Sequence, residues 1–135
     1  MKLETLQPDG CFKLRGAIHA VAMTPPEDLK NGIYTVSSGN FAKALAMSVQ
    51  DSGITVSSII HDRTADVKLQ KFKELGGKVT TVTFDAWWDF LRNHGSENYH
   101  FDGHFIHPTH NRDICAGDSY FALNMVQVSK YGGGR

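Results

Sequence analysis

The sequence lacks the features that mark secreted, membrane-spanning or nucleic-acid-binding proteins. Its two cysteines, Cys11 and Cys115, lie far apart and form no C-x-x-C pair, so we expect free thiols in a reducing compartment. No stretch approaches the roughly 20 apolar residues that span a bilayer, and residues 1–5 lack the apolar core of a secretion signal. The 14 Lys and Arg residues balance the 14 Asp and Glu residues, which gives no global attraction to nucleic acid or anionic membranes. A soluble, cytoplasmic protein that binds neither is expected.

The sequence also lacks the spacing of a metal site. Histidines cluster in one short stretch, at His94, His100, His104, His107 and His110. They form no H-E-x-x-H pattern and have no paired cysteine partner. Loop and surface histidines are the favoured interpretation, and we predict no metal site.

What is present suits a single α/β domain over residues 1–135. Hydrophobic residues make up 41% and charged residues 21% of the chain, as in ordinary globular proteins. Strand-like and helix-like segments alternate, which favours a three-layer α/β/α arrangement around a mainly parallel sheet. The predicted strands are 33–36, 54–60, 78–82 and 104–106. The predicted helices are 12–23, a short one from 26, one from 41 up to Gly53, 65–75, 86–93 and one from 113 onward, with 126–128 as an alternative strand.

The turn Ser37-Ser38-Gly39-Asn40 joins a predicted strand to a predicted helix. Ligands of parallel sheets bind beyond the carboxyl ends of the strands. The N–H groups and the dipole of the helix that follows favour an anion, such as a carboxylate or a phosphate. The alternative is an ordinary helix cap, because Ser and Asn are good N-cap residues.

Lys13 lies at the start of the first predicted helix, beside its apolar face. A lysine in such surroundings can lose its proton and act as a base or as a Schiff-base nucleophile. The alternative is a solvated surface lysine whose aliphatic stem lies on apolar surface.

Three segments resemble motifs of fold-type II pyridoxal-phosphate enzymes, the family of serine/threonine dehydratases and serine racemase. Residues 2–17, KLETLQPDGCFKLRGA, resemble the pattern E-x-x-Q-x-T-G-S-F-K-x-R-G-A. Residues 37–46, SSGNFAKALA, resemble S-S-G-N-H-A-x-A-x-A, and they follow in the family order and at a family-like spacing. A weaker third match combines His107-Pro108 with residues 114–117, ICAG. The resemblance covers most of the chain.

The resemblance implies a cofactor, a set of site residues and a reaction. Lys13 would bind pyridoxal 5'-phosphate covalently and move the substrate α-proton, Phe12 would support the cofactor ring, and Asn40 would hydrogen-bond its 3'-hydroxyl. The substrate carboxylate would lie in the turn formed by Ser37, Ser38, Gly39, Asn40 and Phe41. Ser38 matches the serine that acts on the opposite cofactor face in serine racemases. The implied activity is an ammonia-lyase that converts a 3-hydroxy amino acid into a 2-oxo acid and ammonia.

The chain departs from the family motifs at several positions. Cys11 stands at a usual serine, Asp9 at a usual threonine and Phe41 at a usual histidine. Residues 117–120, GDSY, replace G-Q-G-T, and Asn124 stands where glutamate is frequent.

The implied fold is the small domain of the tryptophan synthase β-like fold. It comprises a lysine segment, 2–23, and βα units over 33–128. On this resemblance we expect the C-terminal part of the large domain to be absent, because Gly132–Gly134 lies closer to the third motif than the family's phosphate-binding loop would.

This difference leaves alternatives open. The chain is either a dehydratase-like enzyme acting on a small amino acid or a truncated, non-catalytic remnant that binds other proteins. It could form a homo-oligomer or take a partner that covers the surface of the missing domain. An unrelated α/β ligand-binding module is the least favoured alternative.

Overall fold

The computed structural model describes residues 6, 8, 10–93, 101–119 and 123. Its elements are α1 (Lys13–Met23), α2 (Pro26–Leu29), β1 (Ile33–Val36), α3 (Asn40–Ser48), β2 (Val56–His61), α4 (Asp66–Glu74), β3 (Lys78–Val82), α5 (Phe84–Arg92) and β4 (His104–Phe105). Residues 112–119 are also helical. The alternative strand at 126–128 lies outside the described residues.

The four strands form one parallel sheet in the order β3-β2-β1-β4. This confirms the predicted α/β class with a parallel sheet. Parallel strands need crossover connections, and α3, α4 and α5 lie in the three connections between successive strands. The single-domain organisation over 1–135 stays a prediction.

Two apolar clusters cover the two faces of the sheet. The larger cluster joins α1, α3, α4 and residue Ile114 to one face, through buried side chains such as Ala17, Phe41 and Phe72. The smaller cluster joins Phe90 of α5 to the other face. The side chains of β1 alternate between the clusters, as the pleat of a strand requires. The helices therefore lie on both faces, in the three layers that the sequence predicts.

The carboxyl ends of β1 and β4 lie side by side, because these strands are parallel neighbours. The buried hydroxyl of Thr35 donates to the carbonyl of Ile106 at 2.8 Å and joins the two ends. Ser58 Oγ of β2 donates to the Ser37 carbonyl at 2.5 Å. These hydrogen bonds fix the start of the turn that leaves β1, the first place where a ligand is expected in such a sheet.

In the described part of the chain, no helix combines the length and the apolar character that crossing a bilayer requires. The cytoplasmic location stays a prediction. Cys115 is an exposed free thiol, and Cys11 is half-buried.

Candidate functional site

The turn after β1 leads directly into the amino end of α3. Gly39 is the N-cap residue, and no side chain caps this helix. Ser37 Oγ instead accepts a hydrogen bond from the Gly39 N–H at 3.4 Å, within the turn itself. The side-chain helix cap that the sequence left open is therefore absent at α3. Its first N–H groups point away from the helix at the end that favours an anion.

Space is available beside this turn. A Cβ built on Gly39 would have no heavy atom within 4 Å, and Gly39 and Asn40 are exposed. On the α4 side, a cavity of about 360 Å³ is lined by Gly39, Asn40, Lys43, Lys68 and Lys71. The lysines make this side of the turn electropositive, which is compatible with an anionic ligand.

Lys13 is the first residue of α1 and is half-buried. The helix packs its buried residues, Leu14, Ala17 and Ala20, into the same apolar cluster as Phe41 of α3. This packing places Nζ of Lys13 5.9 Å from the centroid of the Phe41 ring. A cation–π contact at this distance is worth about 0.5–1 kcal/mol at a partly exposed position. Two predicted site residues that are far apart in the sequence therefore meet.

Phe41 itself is a core residue that is only 1% exposed. Its predicted part in the turn is therefore limited to its backbone and to the aromatic face beneath Lys13. Phe12, the predicted support for a cofactor ring, is 40% exposed at the N-cap position of α1. Ser37 and Ser38 are half-buried. The assigned functions of all these residues stay predictions.

Asp118 lies in the segment 117–120, which departs from the family motif, and it contacts the helix that bears Lys13. Its Oδ1 accepts a hydrogen bond from the Gly16 N–H of α1 at 3.0 Å. Burial raises the pKa of Asp118, whereas the Gly16 hydrogen bond and the charge of Lys13 lower it. Asp118 therefore lies within electrostatic reach of Lys13. The separation of 102 positions between Gly16 and Asp118 explains why local pattern alone could not reveal this contact.

His107 of the third motif is buried and organises the loop after β4. Its Nδ1 accepts hydrogen bonds from the backbone N–H groups of Thr109, at 3.1 Å, and His110, at 2.9 Å. Because Nδ1 is an acceptor, Nε2 carries the proton and donates to the Leu91 carbonyl at 2.9 Å. This histidine therefore has a structural function, tying the loop to α5.

The other candidate histidines do not gather into a metal site among the described residues, where no three His, Cys, Asp or Glu side chains converge. His104 lies 4.0 Å from a carboxylate oxygen of Asp28. His94 and His100 lie outside the described residues.

The residues present fit one end of the cofactor that the sequence resemblance implies. Lys13 offers an amine beside the turn, and the open space at Gly39 leaves room for a ligand against the amino end of α3. Asn40 is exposed at that end and offers a side-chain amide. Gly132–Gly134, where the sequence does not favour a phosphate-binding loop, lie outside the described residues.

Known proteins share both the sequence pattern and the fold. The chain is 30% identical over 131 residues to the biosynthetic chloroplastic threonine dehydratase of Arabidopsis thaliana, covering 96% of this chain and 22% of that protein. It is 31% identical over 127 residues to Arabidopsis serine racemase, covering 93% of this chain and 38% of that protein. The crystal structure of Dictyostelium discoideum serine racemase superposes with a TM-score of 0.75 at 27% identity, covering 93% of this chain and 40% of that one.

The chain thus spans between about a fifth and two fifths of the length of these relatives. Its sequence matches the profile of the family described as "Pyridoxal-phosphate dependent enzyme" over residues 1–132. The match includes both the lysine segment and the turn after β1. The chain belongs to the family of pyridoxal-phosphate-dependent enzymes.

Proposed function

We propose that the chain binds pyridoxal phosphate through Lys13 and carries the chemistry of a serine/threonine dehydratase. The observation that carries the proposal is the 5.9 Å approach of Lys13 Nζ to the ring of Phe41. It supports the proposal because it brings the lysine of the first motif to the turn of the second. Membership of the pyridoxal-phosphate family adds the cofactor.

In the proposed reaction, a 3-hydroxy amino acid loses its α-proton and its β-hydroxyl as water. Hydrolysis of the resulting enamine consumes one water and gives a 2-oxo acid and ammonia. When bound, pyridoxal phosphate supplies an electron sink for the negative charge that develops on the α-carbon.

Each site residue has a defined task in this proposal. The backbone N–H groups of the Ser37–Phe41 turn bind the substrate carboxylate at the positive end of α3. The side chain of Asn40 hydrogen-bonds the 3'-hydroxyl of the cofactor, and Phe12 supports its ring. The amine of Lys13 holds the cofactor and moves the α-proton, and Ser38 is the second proton-transfer group. The ring of Phe41, over which Lys13 Nζ lies, keeps the ammonium directed toward the turn.

Covalent trapping tests cofactor binding. The purified chain is mixed with pyridoxal phosphate, its absorption spectrum is recorded, and the adduct is reduced with borohydride and located by peptide mass spectrometry. We expect the reduced adduct on Lys13. The absorption band of the bound cofactor should be lost in Lys13→Ala. Lys30→Ala is the matched control, since this exposed lysine precedes β1, at the opposite end of that strand from Asn40. Equal labelling of the wild type and Lys13→Ala would contradict the proposal.

Catalysis is tested separately from binding. Ammonia release from L-serine and L-threonine by the loaded wild-type chain supports the lyase, provided that Ser38→Ala and Lys13→Ala lower it. Cofactor binding without ammonia release favours the second candidate function, given next.

The second candidate is protein binding without catalysis, and the exposed apolar side chains of α1 favour it. Ile18 is 51% exposed and Met23 is 59% exposed, although both belong to a helix that is otherwise packed into the core. A second copy of this chain, or a protein domain like the rest of the longer relatives, could cover them. Sedimentation and dye binding of the wild type and Ile18→Ser test this function. A strictly monomeric chain with little dye binding would count against it.

A further inference from the structure

The amino end of α1, where Lys13 lies, has no cap of its own. Phe12 occupies the N-cap position and offers no side-chain hydrogen bond, and the first turn contains no acidic residue. Helices leave their first N–H groups without intrahelical partners, and a negative charge near that end is stabilising. The helix that bears the proposed cofactor lysine therefore depends on other parts of the chain at this end.

Asp118 meets this requirement from the helical residues 112–119. Its Oδ1 lies 3.0 Å from the Gly16 nitrogen. The two helices can approach this closely because both contact positions are glycines. A Cβ on Gly16 would lie 2.7 Å from Asp118 Oδ1, and a Cβ on Gly117 would lie 2.8 Å from the Arg15 carbonyl oxygen. The carboxylate is thus set against the first turns of α1.

Lys13 and Gly16 are three positions apart and lie on the same side of α1. A carboxylate bound at Gly16 is therefore close to the stem of Lys13, and the charge of Lys13 acts on the Asp118 carboxyl. The side chain of Asp118 thus contacts the backbone of α1 and also interacts with the charge of Lys13.

We propose that Asp118 is a positioning residue for Lys13, which fixes the rotation of the α1 amino end and keeps the ammonium directed toward the turn after β1. Its function toward the cofactor rests on the proposed function, in which Lys13 reacts with pyridoxal phosphate. In this proposal Asp118 does not itself touch the cofactor or the reacting atoms. It acts through the Gly16 N–H and through the charge of Lys13.

The first arm of the test does not involve the cofactor. The Asp118 carboxyl is titrated by carbon-detected NMR in the wild type, Lys13→Gln and Lys30→Gln. Because the charge of Lys13 lowers the pKa of Asp118, Lys13→Gln should raise that pKa, whereas Lys30→Gln should leave it unchanged. An unchanged pKa in Lys13→Gln would overturn the proposal.

The second arm measures the covalent adduct at Lys13, at a fixed pyridoxal phosphate concentration, by borohydride trapping. Asp118→Ala should slow its formation about tenfold to a hundredfold, since small displacements of a reacting group have effects of this size. Asp118→Asn keeps an oxygen acceptor for the Gly16 N–H and should recover most of the rate. The control is Asp113→Ala, a change on the same helical segment whose carboxylate does not bond to Gly16.

The outcomes separate the two proposals. Wild-type rates in Asp118→Ala, or an equal loss in Asp113→Ala, would overturn the positioning function. A wild-type chain that forms no adduct would overturn the proposed function instead, and the NMR titration alone then decides the relation of Asp118 to Lys13. Circular dichroism confirms folding of each variant, and Asp118→Asn keeps the test valid if Asp118→Ala does not fold.

Discussion

Replacing Gly16 by alanine tests the close helix crossing that sets the position of Lys13. Gly16 is buried in α1, and an added Cβ would lie 2.7 Å from Asp118 Oδ1 and 2.9 Å from the Ile114 carbonyl oxygen. The second of these atoms belongs to the backbone, so a side-chain rotation cannot relieve the contact. The helical residues 112–119 must move away from α1.

Three contributions set the expected change in the free energy of unfolding for Gly16→Ala. Alanine in place of glycine stabilises a helix interior by about 1 kcal/mol. Overpacking costs about 1–3 kcal/mol, and loss of a hydrogen bond to a charged group costs about 1.5–3 kcal/mol. We expect Gly16→Ala to lower the free energy of unfolding by about 1.5–5 kcal/mol in total. The sign of this change in the free energy of unfolding is the decisive observation, because helix propensity alone predicts stabilisation.

Urea unfolding followed by circular dichroism measures this change. Gly117→Ala probes the same crossing from the other side, since its Cβ would lie 2.8 Å from the Arg15 carbonyl oxygen and 2.8 Å from the Gly16 Cα. Gly39→Ala is the control, because its Cβ would meet nothing within 4 Å and an N-cap change of this kind costs about 1 kcal/mol. A Gly16→Ala chain that is more stable than the wild type would refute the close packing of the two helices at Gly16.

Three further predictions concern single residues. His107→Gln should lower the free energy of unfolding by about 2–4 kcal/mol, because the ring makes three hydrogen bonds to backbone groups, whereas His104→Gln should change it by less than about 1 kcal/mol in the same urea titration, as expected for a partly exposed pair. Burial raises the pKa of Asp118 above its ordinary value of 3.8, so its contribution to stability is present below the unfolded pKa and is lost as the pH rises through the folded pKa. Unfolding experiments across this range should therefore show Asp118→Asn gaining stability relative to the wild type as the pH rises, and an opposite trend would contradict the burial argument. Gly39→Val should keep the fold, by circular dichroism, and lose covalent trapping of pyridoxal phosphate, because its side chain fills the space beside the turn.

The strands were largely predictable from sequence because their signals are local. The β-branched and aromatic segments at 33–36 and 78–82 are β1 and β3 with the predicted bounds. The second strand was predicted from Ile54 but begins at Val56. Ile54 instead follows a turn in which its N–H bonds to Ser52 Oγ, although its apolar side chain resembles that of a strand residue.

The helix ends were less predictable because caps decide them. The helix predicted from residue 86 begins at Phe84, since Thr83 accepts a hydrogen bond from the Ala86 N–H at 3.3 Å and serves as its N-cap. At α3 the reverse holds. Ser37 and Asn40 suggested a cap, but Gly39 takes the N-cap position and leaves the helix end without one.

Some residues of the candidate site could likewise be predicted from the sequence, whereas others could not. Lys13 and the Ser37–Phe41 turn were identified from contiguous motifs, because a covalent cofactor lysine and an anion-binding turn each need a short run of defined residues. Their approach through Phe41 needed the tertiary packing of α1 on α3. Asp118 could be found only from the tertiary structure, since its partner Gly16 lies 102 positions away.

Asp118 also shows that stability and function make different demands on this site. If the carboxylate were present for stability, its hydrogen bond and the nearby lysine would hold its pKa below the ordinary value. Burial instead dominates and raises the pKa, so the ionised form is less stable in the folded chain than in water. A neutral asparagine could accept the same hydrogen bond without this cost. The ionised carboxylate therefore lowers the stability of the fold, whereas its hydrogen bond to the Gly16 N–H and its interaction with the charge of Lys13 are the contacts through which it would position the lysine.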